Sequence, residues 1–162
     1  MRWPLGLEKR RVVVTGLGLI TPVGNDVDSA WSALKNGQSG INAIEHFDTS
    51  EFSTQFGGSI KNFDCTDYML AKEARRMDVF MHYGVAAGVQ AFQDSGLEDS
   101  SLNLERAGVA IGSGIGGISS IEENALLIRD SGPRKVSPFF VPGSIINMIG
   151  GSLSIRFGLQ GP

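Results

Sequence analysis

Twice in this chain a short apolar run closes on glycine and gives way to a helical pattern. Residues 11–16 read R-V-V-V-T-G and residues 108–113 read G-V-A-I-G-S. β-Branched and apolar runs of this length, bounded by glycine, predict buried strands. After the first, Asn25 or Asp26 can cap a helix in which Val27, Ala30, Trp31 and Leu34 fall at i, i+3, i+4 and i+7, and Gly37 ends it. After the second, a helix is expected from about Ser119 to Arg129, with Ser119 and Glu122 at capping-box spacing. Strand then helix, repeated, implies an α/β layer fold on a buried, mainly parallel sheet. The 162 residues suffice for one domain with a real core.

The segment between these units divides by pattern. Lys72 to Ser95 predicts one long helix, with Met77, Phe80, Met81, Val85, Val89 and Phe92 at helical spacing and Gly96 as its stop. Gly84 and Gly88 lie inside it. Glycine in a helix costs about 1 kcal/mol against alanine, so these two predict close packing against another element. Residues 38–71 predict a long surface excursion that pins Phe47, Phe52, Phe56 and Phe63 onto the core, with one short strand near Gly58 to Ile60. Pro133, Pro138 and Pro142 predict an extended stretch, followed by a last helix from Ser144 to Phe157 that Gly158 stops. Residues 1–9 read as an extension outside the domain, without the apolar core of a signal peptide.

Composition narrows the function classes. The net charge of −3 carries no global footprint of nucleic-acid binding. No apolar run approaches the roughly 20 residues of a membrane span. A single cysteine, Cys65, excludes an internal disulfide framework and a cysteine-rich zinc site. Asp64 and Asp67 flank that cysteine, and negative charge disfavours a thiolate, so Cys65 reads as structural. His46 and His82 have no metal-ligand spacing and also read as structural.

Residues 112–117, G-S-G-I-G-G, fit the G-x-G-x-x-G spacing of a dinucleotide-binding loop through Gly112, Gly114 and Gly117. That reading needs an acid at the tip of the next strand, about 20 residues on. Asp130 has nearly the right distance but stands at a helix end, before Ser131-Gly132-Pro133. The competing reading is a turn where backbone or ligand comes too close for a Cβ. Lys72, Arg75 and Arg76, at i, i+3 and i+4, share one helix face, and Arg134-Lys135 adds two more cations. A solvated helix start and a docking patch for an acidic partner both fit. Cations at a helix N-terminus oppose its dipole, which gives the second reading weight.

Six segments then occur in order: RRVVVTGLGLITPVGN, NGQSGI, KEARRMD, AGVAIGSGIGG, GPRKVSPFFVPGSIINM and GLQGP. Together they resemble the N-terminal part of the β-ketoacyl-acyl-carrier-protein synthases, and P-R-K-V-S-P-F-F-V-P is most similar to the elongation (type II) group. The resemblance runs from about residue 10 to Pro162. It implies residues 10–162 as the N-terminal portion of a thiolase-like αβαβα layered fold, incomplete in this chain. It also implies an acyltransferase that elongates fatty acyl chains by decarboxylative Claisen condensation of an acyl thioester with malonyl-carrier protein. No metal or cofactor is expected. Its cysteine nucleophile follows the segment that leads on from Gly161-Pro162, and its two histidines belong to a second half. Cys65, His46 and His82 match none of these, so this chain holds no catalytic residue and is expected to be inactive alone.

The resemblance also assigns binding residues. Gly114 and Ile115 would line the acyl pocket, and Phe140 would lie at a homodimer interface, near the partner's acyl pocket. Lys72, Arg75, Arg76, Arg134 and Lys135 match the positions that receive acidic acyl-carrier protein. The implied partners are acyl-carrier protein, a second copy in the complete enzyme, and a second polypeptide if one supplies the missing half. Neither nucleic acid nor membrane is implied, and the compartment is the cytoplasm. Two other functions stay open on the sequence: a non-catalytic condensing-enzyme-like subunit that shapes an acyl pocket, and a Rossmann nucleotide binder.

Overall fold

Two helices packed face to face organise this molecule. A computed structural model describes residues 11–99 and 101–162. The predicted extension, residues 1–9, lies outside them. In chain order the regular elements are α1 (Val27–Lys35), β1 (Asn42–Ala43), β2 (Phe56–Gly57), α2 (Ala71–Ala74), α3 (Val79–Asp94), α4 (Ile118–Ser131), α5 (Phe140–Ser144) and α6 (Met148–Phe157), with single 3₁₀ turns between some of them.

The core is the seam between α3 and α6. Met81, Val85 and Val89 of α3 are buried with Ile149 and Leu153 of α6, and Met69 and Ala74 close one end. Gly84 and Gly88 allow the approach. A Cβ at Gly84 would stand 2.7 Å from Ile149 Cδ1, and one at Gly88 would run into Leu153 Cδ1. Phe92 stacks on Phe157 at 3.9 Å between ring centroids, extending the seam.

The long helix expected from Lys72 to Ser95 is instead two. α2 is one turn, and the chain turns through Arg75–Met77 before α3 begins at Val79. Asp78 causes the break: its backbone is extended (φ −68°, ψ 157°) and its carboxylate accepts the Phe80 N–H, capping α3. The last helix divides likewise. α5 ends at Ser144, Ile145 is extended, and α6 starts at Met148 and ends on left-handed Gly158 as predicted. Pro142 sits inside α5, against the expectation of an extended stretch. It falls in the first turn, where a missing N–H costs no helical hydrogen bond. The capping box expected of Ser119 and Glu122 is not the cap that forms, because α4 starts on Gly117 and has no side-chain cap of its own.

The two predicted buried strands are not ladders among the described residues. Val12 and Val14 are 91% and 79% exposed. Residues 16–19 lie instead along α3. The Leu17 N–H donates to Asp94 Oδ2 at 2.8 Å and the Leu19 N–H to Gln90 Oε1 at 3.1 Å. Gly16 and Gly18 alternate with them because a Cβ would strike the helix backbone. Residues 107–113 keep the period of a strand. Val109 and Ile111 pack on the core while Ala110 and Gly112 face out, so one face is covered; among the described residues the segment's backbone contact is at its start, where the Gly161 N–H donates to the Ala107 carbonyl at 2.9 Å. The one sheet described is a short antiparallel pair, Asn42 opposite Gly57 and Ala43 opposite Phe56. It falls close to the strand expected at Gly58 to Ile60. Phe47, Phe52 and Phe56 stay exposed, contrary to expectation, and of that group Phe63 alone packs inward, against Tyr68 and Tyr83. α1 carries the Asp26 cap, but it buries Ala30 and Ala33 and leaves Trp31 and Leu34 exposed.

Candidate functional site

The glycine turn after Ile111 supplies one wall of a concave apolar site. Gly116 has φ +84°, a conformation that favours glycine, and the Gly117 N–H donates to the Ser144 carbonyl at 2.9 Å. A Cβ on Gly117 would stand 2.7 Å from Ser144 Cα. The turn is therefore locked against the end of α5. Gly112 and Gly114 face open space. The positions of the nucleotide fingerprint are thus mostly not the ones the fold needs as glycine. Asp130 lies within α4, exposed and paired with Arg129 at 2.7 Å, and not at a strand tip. The geometry disfavours the nucleotide reading on both counts.

Between the turn, α4 and α5 lies a cavity of about 370 Å³. Ile115, Ile121, Phe140, Val141, Ile145 and Ile146 line it. Ile115 and Phe140 both line this cavity within one chain, whereas the resemblance placed Phe140 near the partner's pocket. Gly114 stands beside Ile115 in the chain and is not part of the lining. A wall of branched aliphatic groups with one aromatic ring can hold an alkyl chain and offers little to a polar ligand.

A second, smaller cleft of about 210 Å³ adjoins it, lined in part by Arg75, Arg76, Asp78, Ser120, Ser137 and Phe139. The Arg76 guanidinium lies over the Phe139 ring at 4.1 Å from the centroid, a cation–π contact. Arg134 and Lys135 sit on the 3₁₀ turn at Pro133–Lys135, which packs on α4. The five predicted cations are all exposed, and none makes an ion pair among the described residues. Their arrangement differs from the one predicted. Lys72 belongs to α2, Arg75 caps its C-terminal end, and Arg76 follows in the turn, so they do not share one face of a long helix. Lys72 lies within the single turn of α2 and Arg75 is its C-cap, while Arg75 and Arg76 precede Asp78, the N-cap of α3.

Asp78 was not singled out from the sequence. It is 7% exposed, and its Oδ2 accepts the Ser120 N–H of α4 at 2.9 Å, 42 residues along the chain. Its own N–H donates to the Gly143 carbonyl of α5 at 3.0 Å. The signal was present in Met77-Asp78-Val79-Phe80, an aspartate directly before an apolar helical run, but unbroken periodicity across it hid the boundary.

Cys65 packs at the margin of the core at the start of a 3₁₀ turn, where the Asp64 carboxylate accepts the Thr66 N–H. His46 lies edge-on to Phe47, and His82 Nε2 is 2.9 Å from the Ala74 carbonyl oxygen. The two histidines have different partners, and neither hydrogen-bonds Cys65 among the described residues. Among the described residues no cluster of His, Cys, Asp and Glu could hold a metal ion, and no helix is long and apolar enough to cross a membrane.

Solved structures define the class. The chain superposes with a TM-score of 0.83 at 24% identity on the ishigamide ketosynthase/chain length factor, covering 95% of this chain and 39% of that one. It superposes at 0.76 and 26% identity on a β-ketoacyl synthase from Burkholderia phymatum, covering 95% of this chain and 38% of that one. A ketosynthase of a type II polyketide system, solved with its acyl-carrier protein and a bound hexaketide, gives 0.72 at 25% identity over 93% of this chain and 41% of that one. The fold is therefore α/β, a portion of the thiolase-like layered fold of ketosynthases. The chain belongs to the β-ketoacyl synthase N-terminal domain family, whose model matches residues 9–162. It is 60% identical over 156 residues to 3-oxoacyl-[acyl-carrier-protein] synthase 2 of Vibrio harveyi and 61% identical to that of Vibrio cholerae. Each match covers 96% of this chain, which spans 38% of the length of either relative.

Proposed function

We propose that this chain forms part of a 3-oxoacyl-[acyl-carrier-protein] synthase that elongates fatty acyl chains by decarboxylative condensation with malonyl-carrier protein. One observation carries the reading: in a member of this family, the glycine turn and α5 border an open aliphatic depression of about 370 Å³ with Ile115 on one side and Phe140 on another. In this reading the acyl group enters that cavity as a thioester, and its alkyl chain is stabilised by burial of apolar surface. The chemistry needs a thiolate to take the acyl group and a second step in which the carbanion left by loss of CO₂ attacks the thioester. Cys65, His46 and His82 do not converge and serve neither step. The 162-residue chain alone is accordingly inactive, and it contributes the pocket wall and a docking surface to a cytoplasmic homodimer.

Lys72, Arg75, Arg76, Arg134 and Lys135 provide that docking surface for acidic acyl-carrier protein. Support comes from five exposed cations unpaired among the described residues, of which Arg75 and Arg76 line the cleft that adjoins the cavity, and from one related solved ketosynthase described with its carrier protein. The pocket assignment is tested by Ile115→Phe in the complete synthase carrying this segment. The larger side chain shortens the acyl groups accepted, read as product length from a mixed acyl-carrier pool. Undiminished elongation of long acyl groups overturns the assignment.

A further inference from the structure

We propose that Asp78 is a positioning residue that fixes the wall of the acyl pocket to the carrier-docking turn and thereby sets which acyl lengths the pocket accepts. The inference rests on the pocket reading above. The first-turn N–H groups of a helix have no intrahelical partners and need acceptors. α4 starts on Gly117, which has no side chain to offer. A side chain there is excluded, because its Cβ would stand 2.7 Å from Ser144 Cα and 3.1 Å from Asp78 Cβ. The cap comes from Asp78, whose Oδ2 accepts the Ser120 N–H at 2.9 Å while Oδ1 faces the Phe80 N–H of its own helix at 3.4 Å. One carboxylate thus sits at the N-termini of both α3 and α4, where both dipoles favour negative charge.

The same residue joins a third element. Its backbone N–H donates to the Gly143 carbonyl of α5. Gly143 lies so close to the Arg76 carbonyl that a Cβ there would collide with it. Ile115 and Ile121 flank the capped end of α4, Phe140 and Val141 belong to α5, and all four line the cavity. Arg75 and Arg76 precede Asp78 and share the adjoining cleft with it. Removing the link from Asp78 to Ser120 loosens the first turn of α4 and leaves the Gly117–Ser144 hydrogen bond to hold the Ile115 wall against α5, which gives that wall more freedom. The alkyl chain then loses a fixed boundary, and discrimination between lengths falls before catalysis itself does.

The test separates the two helices that Asp78 serves. In the complete synthase carrying this segment, kcat/KM is measured with octanoyl- and palmitoyl-carrier protein for wild type, Asp78→Ser, Asp78→Asn and Ile115→Phe. Serine still caps α3 but is too short to reach Ser120, whereas asparagine can turn its one oxygen to the Ser120 N–H and leave its NH2 toward the longer 3.4 Å Phe80 contact. The expected result is a change of about fivefold in the palmitoyl-to-octanoyl ratio for Asp78→Ser, with Asp78→Asn within about twofold of wild type. If Asp78→Ser leaves the ratio unchanged while Ile115→Phe alters it, the role of Asp78 is wrong and the pocket reading stands. If neither alters it, the pocket reading fails and this inference with it. An equal shift in the Ser and Asn variants also overturns the inference, since the retained acceptor would then be irrelevant. Should Asp78→Ser not fold, hydrogen exchange on the wild-type enzyme decides. The Ser120 amide should exchange as slowly as amides in the middle of α4, and rapid exchange overturns the link.

Discussion

Whether a glycine here is needed depends on what its missing methyl would meet. At Gly18 an added Cβ presses on the Ala87 carbonyl and stands 2.6 Å from Ala91 N, both backbone atoms of α3 that cannot rotate away. At Gly88 it meets the ends of the Leu153 side chain, which can give slightly, and alanine there regains about 1 kcal/mol of helix propensity. At Gly114 it meets nothing within 4 Å. Overpacking a closed site costs about 1–3 kcal/mol. Urea unfolding should therefore rank Gly18→Ala as most destabilised, Gly88→Ala as intermediate and Gly114→Ala as near wild type; a reversed order would sink the packing account. Asp26 gives a residue-scale prediction with a pH sign. The Ser29 backbone N–H, at 2.8 Å, and then the Ser29 hydroxyl hold its carboxyl below the ordinary 3.8. The lowered folded value means that the stabilisation is complete above the unfolded value and is lost as pH falls through the folded one. Asp26→Ala should cost about 1 kcal/mol at neutral pH, as loss of a cap does. That deficit should close under strongly acid conditions, and a constant deficit from neutral to acid pH would rule the charge out.

Elements were legible where their ends are marked by local chemistry and illegible where a distant partner decides. The Asp26 cap, Gly37 after α1, Gly158 after α6 and the close approach at Gly84 and Gly88 all follow from residues within a few positions. The break at Asp78 was hidden because Met77 and Phe80 keep helical spacing across it, and the carboxylate's second partner is 42 residues away. Trp31 and Leu34 fit a helical stripe by spacing, yet the face α1 buries is the one with Ala30 and Ala33, and spacing alone does not fix a helix's rotation. Of the site, the sequence offered Ile115 and Phe140 through family resemblance, and the cavity that joins them needed the fold. The turn at Arg75–Met77 also changes how the cations act. Lys72 and Arg75 now flank a corner, with Arg76 held over Phe139, and Arg75 and Arg76 present charge toward one cleft. In the complete synthase, Lys72→Glu with Arg75→Glu should raise KM for acyl-carrier protein about tenfold and flatten its salt dependence. Turnover of a small acyl thioester without a carrier should stay unchanged. An unaltered KM for the carrier would remove these residues from the docking surface.

At the scale of the molecule the large unburied apolar surface has the most consequence. Val12, Val13 and Val14 expose their side chains along an extended run that has no ladder partner among the described residues. Ile155 on α6 is 84% exposed, and Trp31 and Leu34 project from α1. Exposed apolar side chains on unpaired extended backbone are a template for another strand. The 162-residue chain expressed by itself should therefore associate, with a sedimentation coefficient that rises with concentration. Val12→Lys with Val14→Lys, two changes on the same side of the extended run, should reduce that association, since charge blunts an open strand edge. The same preparation should neither take an acyl group from acyl-carrier protein nor release CO₂ from malonyl-carrier protein. Cys65 lies between Asp64 and Thr66 at the margin of the core, and neither histidine reaches it. A monomer that stays monomeric at high concentration would show that the exposed valines cover themselves in solution. An acyl group found on Cys65 by intact-mass measurement would overturn its structural role and with it the proposal that condensation requires residues beyond these.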